Sequence, residues 1–191
     1  MNRPGKLIVI SGPSGVGKTS IVQEVLRLTG AEYSVSATTR PPRPGEVDGR
    51  DYHFMDPAEF QEIKATGGTA EAALVHGNWY GTPAEPLREA LAGGRTIVLA
   101  IDVQGAIQVH RKMPNATFIL ILPPSREELA RRLSARGTED AAAVARRLAA
   151  AEKEIAAARA SGVYNREVIN DRLDEAVRRV VEIIQQESPR T

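Results

Sequence analysis

The sequence contains no cysteine, which excludes a disulfide framework, cysteine-ligated zinc and thiol catalysis, and leaves the redox compartment open. No segment approaches the roughly 18 consecutive apolar residues of a membrane span. The N-terminal MNRPGKLIVISG has too short an apolar stretch for a signal peptide and runs directly into glycines. A strong charge of either sign is missing too: 25 Lys plus Arg stand against 24 Asp plus Glu, for a formal net charge of +1. The totals therefore give no general argument for a polyanionic partner, and any anion site must be local. His53, His76 and His110 have no paired metal-ligand spacing and read as hydrogen-bonded structural residues. No internal repeat occurs, and no low-complexity tract beyond alanine richness. The expectation is a cytoplasmic protein with no membrane, nucleic-acid or obligate protein partner.

What is present is an ordinary globular composition, with 42% hydrophobic and 26% charged residues in 191, enough to bury a proper core. The apolar runs LIVI (7–10), YSVS (33–36), TIVLAID (96–102), TFILIL (117–122) and EVIN (167–170) alternate with helical patterns. Near-continuous β-branched runs separated by helices predict a parallel sheet covered on both faces, an α/β fold. From 37 to about 81 the chain is richer in Gly, Pro and polar residues, with short strand candidates at 51–55 and 69–75, and reads as an inserted small lobe. Asp56, Pro57 and Glu59 signal a capped helix start. TPAE (82–85) repeats that signature and predicts a second capped helix ending near Gly93–Gly94, and SREE (125–128) predicts a third. An alanine-rich helix over about 140–160, with Glu152, Lys153 and Glu154 on it, reads as solvated. A last amphipathic helix runs from Leu173.

GPSGVGKT, Gly12 to Thr19, lies between the first apolar run and a helical pattern and fits G-x-x-x-x-G-K-[ST]. Glycines let backbone N–H groups converge on phosphate oxygens, and the helix that follows adds its positive dipole end. Gly12, Pro13, Ser14, Gly15, Val16, Gly17, Lys18, Thr19 and Ser20 are therefore assigned to a nucleoside triphosphate. Lys18 is expected to reach the β- and γ-phosphates, and the Thr19 hydroxyl to ligate Mg²⁺. The loop does not say what receives the phosphate.

SVSATTRPPRPGEVDGRDYHF, Ser34 to Phe54, presents Arg40 and Arg43 among prolines, then Tyr52. Guanidinium forks aimed from a stiff loop suit phosphate oxygens, and a tyrosine hydroxyl supplies another donor. Alone, the segment reads equally as a polar loop with solvated charges. Taken with the phosphate loop, GNWYGT (77–82), IDVQGA (101–106), RGT (136–138) and IND (169–171), it closely resembles guanylate kinases from about residue 6 to 185.

The resemblance implies a P-loop NTPase-type parallel-sheet core (about 1–36, 94–130 and 162–191), a GMP-binding lobe (about 37–93) and a helical lid (about 131–161). It implies transfer of the γ-phosphoryl group of ATP to GMP, with ATP as co-substrate and Mg²⁺ as cofactor. Arg40, Arg43, Tyr52 and Tyr80 would hold the GMP phosphate, and Ser36, Glu71 and Thr82 would meet the guanine, with Asp102 beside them. Arg136 and Arg147 match lid arginines that join Lys18 and Arg43 in catalysis, Arg132 being a weaker candidate. Asn170 and Asp171 match an adenine-binding turn. One step stands without the family: guanine offers N1–H and its 2-amino group as adjacent donors to a carboxylate such as Glu71, whereas adenine would leave a buried carboxylate unpaired.

The chain departs from its relatives at Ala100-Ile101-Asp102, where they usually carry Asp-Ile-Asp, leaving Asp102 as the only acid expected there. Trp79 replaces a common tyrosine and reads as packing. Two other readings remain: a P-loop kinase of another phosphorylated acceptor such as a ribosyl phosphate, against which Glu71 and Ser36 argue, and a non-catalytic guanylate-kinase-like binding module, against which the complete phosphate loop argues.

Overall fold

The run Leu7–Ile10 has no polar residue because both sides of its strand are covered. Ile8 and Ile10 enter one core cluster, Leu7 and Val9 another on the opposite face. The computed structural model of the chain describes residues 5–75, 77–135 and 141–186. In order, its elements are β1 (Lys6–Ser11), α1 (Lys18–Thr29), β2 (Glu32–Tyr33), β3 (Ala37–Thr38), β4 (His53–Phe54), α2 (Pro57–Ala65), β5 (Thr69–Val75), β6 (Asn78–Pro83), α3 (Ala84–Ala92), β7 (Thr96–Ala100), α4 (Val103–Lys112), β8 (Thr117–Leu122), α5 (Arg126–Ser134), α6 (Ala141–Ala160), β9 (Arg166–Ile169) and α7 (Leu173–Gln186).

Five strands form a sheet in the order β2-β7-β1-β8-β9, every pairing parallel. From β1 the chain runs out to one edge, returns through β7, then crosses to the other side. That reversal beside β1 opens a crevice at the carboxyl ends of the strands, where ligands bind in open α/β sheets. One face is covered by α1 and α7, whose Ile21, Val25, Val177 and Val180 pack on Ile8, Val98 and Ile119. On the other, Leu87 of α3 and Val109 of α4 pack with Val9, Leu99 and Phe118.

The second sheet, β4-β3-β6-β5, is mixed, with β3 parallel to β4 and antiparallel to β6. Phe60 of α2 is buried beneath it and stacks on Trp79 with centroids 5.8 Å apart, so the tryptophan is a packing residue. Lys64 adds its ammonium over the same ring, 3.6 Å from the centroid.

Several boundaries differ from the sequence reading. The run 33–36 is not one strand: Tyr33 ends an edge strand of the large sheet and Ala37 begins an inner strand of the small sheet, so the chain changes sheets there. Asp56 and Ser125 cap their helices through side-chain oxygens, as expected, but the cap predicted at Thr82 is absent. Pro83 stands before α3 with no side-chain cap, and Thr82 lies in β6 with its hydroxyl committed to Glu71. β6 itself was not anticipated, because Asn78, Gly81 and Pro83 disguise it. Antiparallel pairing with β5 supplies the order that propensity does not. Among the described residues no helix is long and apolar enough to cross a membrane.

Candidate active site

The loop between β1 and α1 is shaped by glycines that no other residue could replace without rearrangement. Gly17 has φ 91° and Gly15 φ 84°, both left-handed. A Cβ on Gly12 would lie 2.6 Å from the Ile121 carbonyl oxygen, and one on Gly17 2.6 Å from Asn170 Nδ2. Gly17 occupies the cap position of α1 without any side-chain cap, so the first-turn amides take no partner from that position. Asn170 is buried, and its Nδ2 donates to the Val16 carbonyl at 2.7 Å. The asparagine thus reaches the phosphate loop from the far side of the sheet, after β9.

Lys18 donates from Nζ to the Ile101 carbonyl at 2.9 Å. Burial holds its ammonium below the usual lysine pKa, opposed by the nearby carboxylates of Asp102 and Glu154. Thr19 and Ser20 are exposed on the first turn of α1. From α6, Arg147 Nη2 donates to Ser14 Oγ at 3.0 Å. From α5, Arg132 reaches the Val16 carbonyl at 3.5 Å and the Asp171 carbonyl at 3.2 Å, while its Nε donates to Glu128 at 2.7 Å. Arg132 and Arg131 together hold the Glu128 carboxyl down to about 2. The lower-ranked arginine therefore sits on the loop, and Arg136 lies outside the described residues.

A cavity of about 240 Å³ opens between the two sheets, lined by Ser36, Tyr52, Glu71, Tyr80, Ile101 and Asp102 among others. Glu71 is buried in it, and the Thr82 hydroxyl donates to its Oε1 at 2.7 Å. Burial pushes the Glu71 carboxyl up to about 6, helped by the neighbouring Asp102 and opposed by the Thr82 hydroxyl. Asp102 caps α4, its Oδ1 accepting from Gly105 N at 2.7 Å. Ala100 also lines the cavity, so position 100 supplies no acid to that wall.

Outside the cavity mouth, Arg40 makes a two-pronged pair with Glu46, Nη1 to Oε2 at 3.0 Å and Nη2 to Oε1 at 2.9 Å. Its guanidinium lies 5.5 Å from the Tyr52 ring centroid, and Tyr52 meets Tyr80 edge-on at 5.9 Å. The Glu46 carboxylate keeps Arg40 firmly protonated. Arg43 is exposed and gives its backbone N–H to Glu46 at 2.6 Å. Arg40, Tyr52 and Tyr80 thus form one cluster, with Arg43 beside it on the same turn.

Reasoning from sequence missed two acids. Glu46 was read only as part of a loop, although a carboxylate a few residues after an arginine in a proline-rich turn is a natural clamp. Glu154 was read as solvated. It is half-buried and stands near enough to Lys18 and Asp102 to feel both charges, a second acid brought to this point from α6. Its spacing from Arg147, two helical turns, was the available signal.

The family model for guanylate kinase matches residues 4–187. A guanylate kinase of Gloeobacter violaceus is 52% identical over 96% of this chain and 89% of its own length. One of Nocardia farcinica is 46% identical over 95% of this chain and 94% of its own. The crystal structure of guanylate kinase from Anaplasma phagocytophilum superposes with a TM-score of 0.76 at 34% identity, covering 99% of this chain and 89% of that one.

Proposed function

The chain belongs to the guanylate kinase family, and from that premise we propose how its residues divide the transfer of the γ-phosphoryl group of ATP to GMP, giving ADP and GDP. The loop Gly12–Thr19, with Ser20, receives the triphosphate through main-chain amides, and Lys18 moves onto the β- and γ-phosphates from its present place on the Ile101 carbonyl. Asn170 holds the loop's shape through Val16, and Asp171 edges the adenine side.

In the acceptor lobe Glu71, oriented by Thr82 and accompanied by Ser36 and Asp102, takes the two guanine donors. Arg40, Arg43, Tyr52 and Tyr80 take the GMP phosphate. An oxygen of that phosphate attacks the γ-phosphorus in line, the new P–O bond forming as the bond to the β-phosphate oxygen breaks. The attacking oxygen is already anionic, so no general base is needed. Arg147, Arg136 and Arg132 neutralise charge that spreads over the phosphoryl oxygens.

The family is ATP-dependent, and Mg²⁺ fits the donors present. Among the described residues no three His, Cys, Asp or Glu gather into a cage, as suits an ion that takes few protein oxygens beside phosphate and water. Thr19 would hold it. When bound, it neutralises charge on the triphosphate.

The assignment keeps a core (about 1–36, 94–130, 162–191), an acceptor lobe (about 37–93) and a lid (about 131–161) closing over both nucleotides. Its setting is the cytoplasm, with two nucleotides and no macromolecule as partners.

One observation carries the reading: the lysine of the phosphate loop rests on Ile101, which lines the cavity holding Glu71, so donor and acceptor sites share a wall. The test is a panel of GMP, IMP, AMP and ribosyl phosphates at saturating MgATP, followed by coupled ADP release. GMP is expected to dominate kcat/KM, and preference for an acceptor without guanine would overturn the assignment.

A further inference from the structure

Glu71 does not sit in a regular strand. β5 pairs with β6 as Thr69↔Pro83 and then Glu71↔Thr82, so Ala70 is an extra residue in a bulge immediately before the carboxylate. Bulges re-aim the side chains beside them. Among the described residues the other edge of β5 has no strand partner, yet polar groups of Thr69 and Ala72 on it are taken. Gln108 on α4 accepts from Ala72 N through Oε1 and donates through Nε2 to Ala72 O, both at 3.1 Å, much as a neighbouring strand would. One turn further on, Lys112 Nζ donates to the Thr69 carbonyl at 2.7 Å. Ala70 is buried with Val109 in the core between these two contacts, and Gly105, one turn earlier, leaves room for Glu71 Oε2, which a Cβ would meet at 3.1 Å.

We propose that Gln108 and Lys112 are positioning residues for guanine selection: they grip the bulged edge on either side of Glu71 and hold its carboxylate toward the cavity. Lys112 adds a positive charge that favours the ionised carboxylate. The inference rests on Glu71 being the guanine acceptor. It also makes α4 a strut, since the same helix begins at Asp102, beside the carbonyl on which Lys18 rests.

The experiment measures calorimetric Kd for GMP and for an ATP analogue, steady-state kinetics and Tm in Gln108→Met, Lys112→Met and Glu71→Gln, and in the double variant of Gln108→Met with Glu71→Gln. Two lost hydrogen bonds on one strand residue should weaken GMP about tenfold, and Lys112→Met should weaken it about threefold. ATP-analogue affinity and kcat at saturating GMP should stay within about twofold. In the Glu71→Gln background the Gln108 effect should largely vanish, since coupled positions are non-additive. Equal losses for both nucleotides, unchanged GMP affinity, or an undiminished effect in the double variant would overturn the proposal. If Gln108→Met does not fold, the same readouts on Lys112→Met, alone and combined with Glu71→Gln, decide. Glu71→Gln binding GMP like the parent would instead overturn the guanine assignment itself.

Discussion

Around Gly12–Thr19 the surface offered to a phosphate is main chain, whereas on the acceptor side it is side chain. The loop is fixed by left-handed glycines, a backbone hydrogen bond from Val16 to Pro13 and the buried amide of Asn170. The acceptor cluster consists of Arg40, Tyr52 and Tyr80, brought from three places in the chain and locked by Glu46 and ring contacts. A main-chain cradle binds any triphosphate tail. A side-chain cavity can choose, because each buried polar atom penalises a ligand that leaves it unpaired.

The comparison breaks at its strongest point if Lys18, the one side chain central to the loop, is dispensable. Lys18→Ala should lower kcat about 10³-fold with GMP saturating, by removing the cation that meets charge developing on the transferred phosphoryl. The fold should persist, since the Ile101 carbonyl can turn to water in the crevice. A coupled ADP-release assay giving near-normal kcat would contradict the division of labour.

The same difference in materials decides what could be read in advance. A cradle of amides needs glycines, a lysine and a hydroxyl at fixed spacing, so Gly12 to Thr19 could be proposed as a phosphate site from residues alone. The parallel sheet was equally legible, because Leu7–Ile10 and Thr117–Leu122 are apolar on both faces of their pleats. The proposed acceptor cavity was not, since Ser36, Glu71, Tyr80 and Asp102 meet only through the packing of two sheets, and they were picked out by family resemblance, with an independent chemical argument for Glu71 alone. Least legible were groups acting through backbone. Asn170, placed in an adenine turn by resemblance, also bonds to Val16, Thr82 looked like a cap but gives its hydroxyl to Glu71, and nothing in the sequence marks Gln108 as the partner of a strand edge.

Glu71 sharpens the comparison because selection there is bought with stability. Its carboxyl titrates near 4.5 in the unfolded chain and about 6 in the fold. Between those values the folded state binds more protons, so the stabilisation is complete below pH 4.5 and is lost as pH rises through 6, amounting to about 2 kcal/mol. Glu71→Gln lacks the charge and should escape that loss. Its Tm is expected to match the parent near pH 4.5 and exceed it above pH 6.5, while kcat/KM for GMP falls about 10²-fold and the KM for ATP holds. Parent GMP binding should itself weaken below about pH 6, as the acceptor carboxylate takes a proton. A Tm difference independent of pH would show that Glu71 is not held ionised against its burial.

The smallest effect tests whether the acceptor side chains are arranged in advance or compete with the ligand. Glu46 takes two donors of Arg40 and the backbone N–H of Arg43, which fixes the turn but also occupies part of the guanidinium proposed to bind phosphate. Five N–H donors leave Arg40 enough to bind a phosphate oxygen while paired, and ring contacts on Tyr52 and Phe54 keep its plane fixed. Prior arrangement should therefore outweigh competition. Glu46→Gln keeps the shape but loses the charge-assisted pair, and should raise the KM for GMP about threefold with kcat unchanged. A lower KM in the same assay would mean that Glu46 restrains Arg40 from its ligand, and the acceptor cluster would then be assembled by GMP, unlike the loop that awaits ATP already formed.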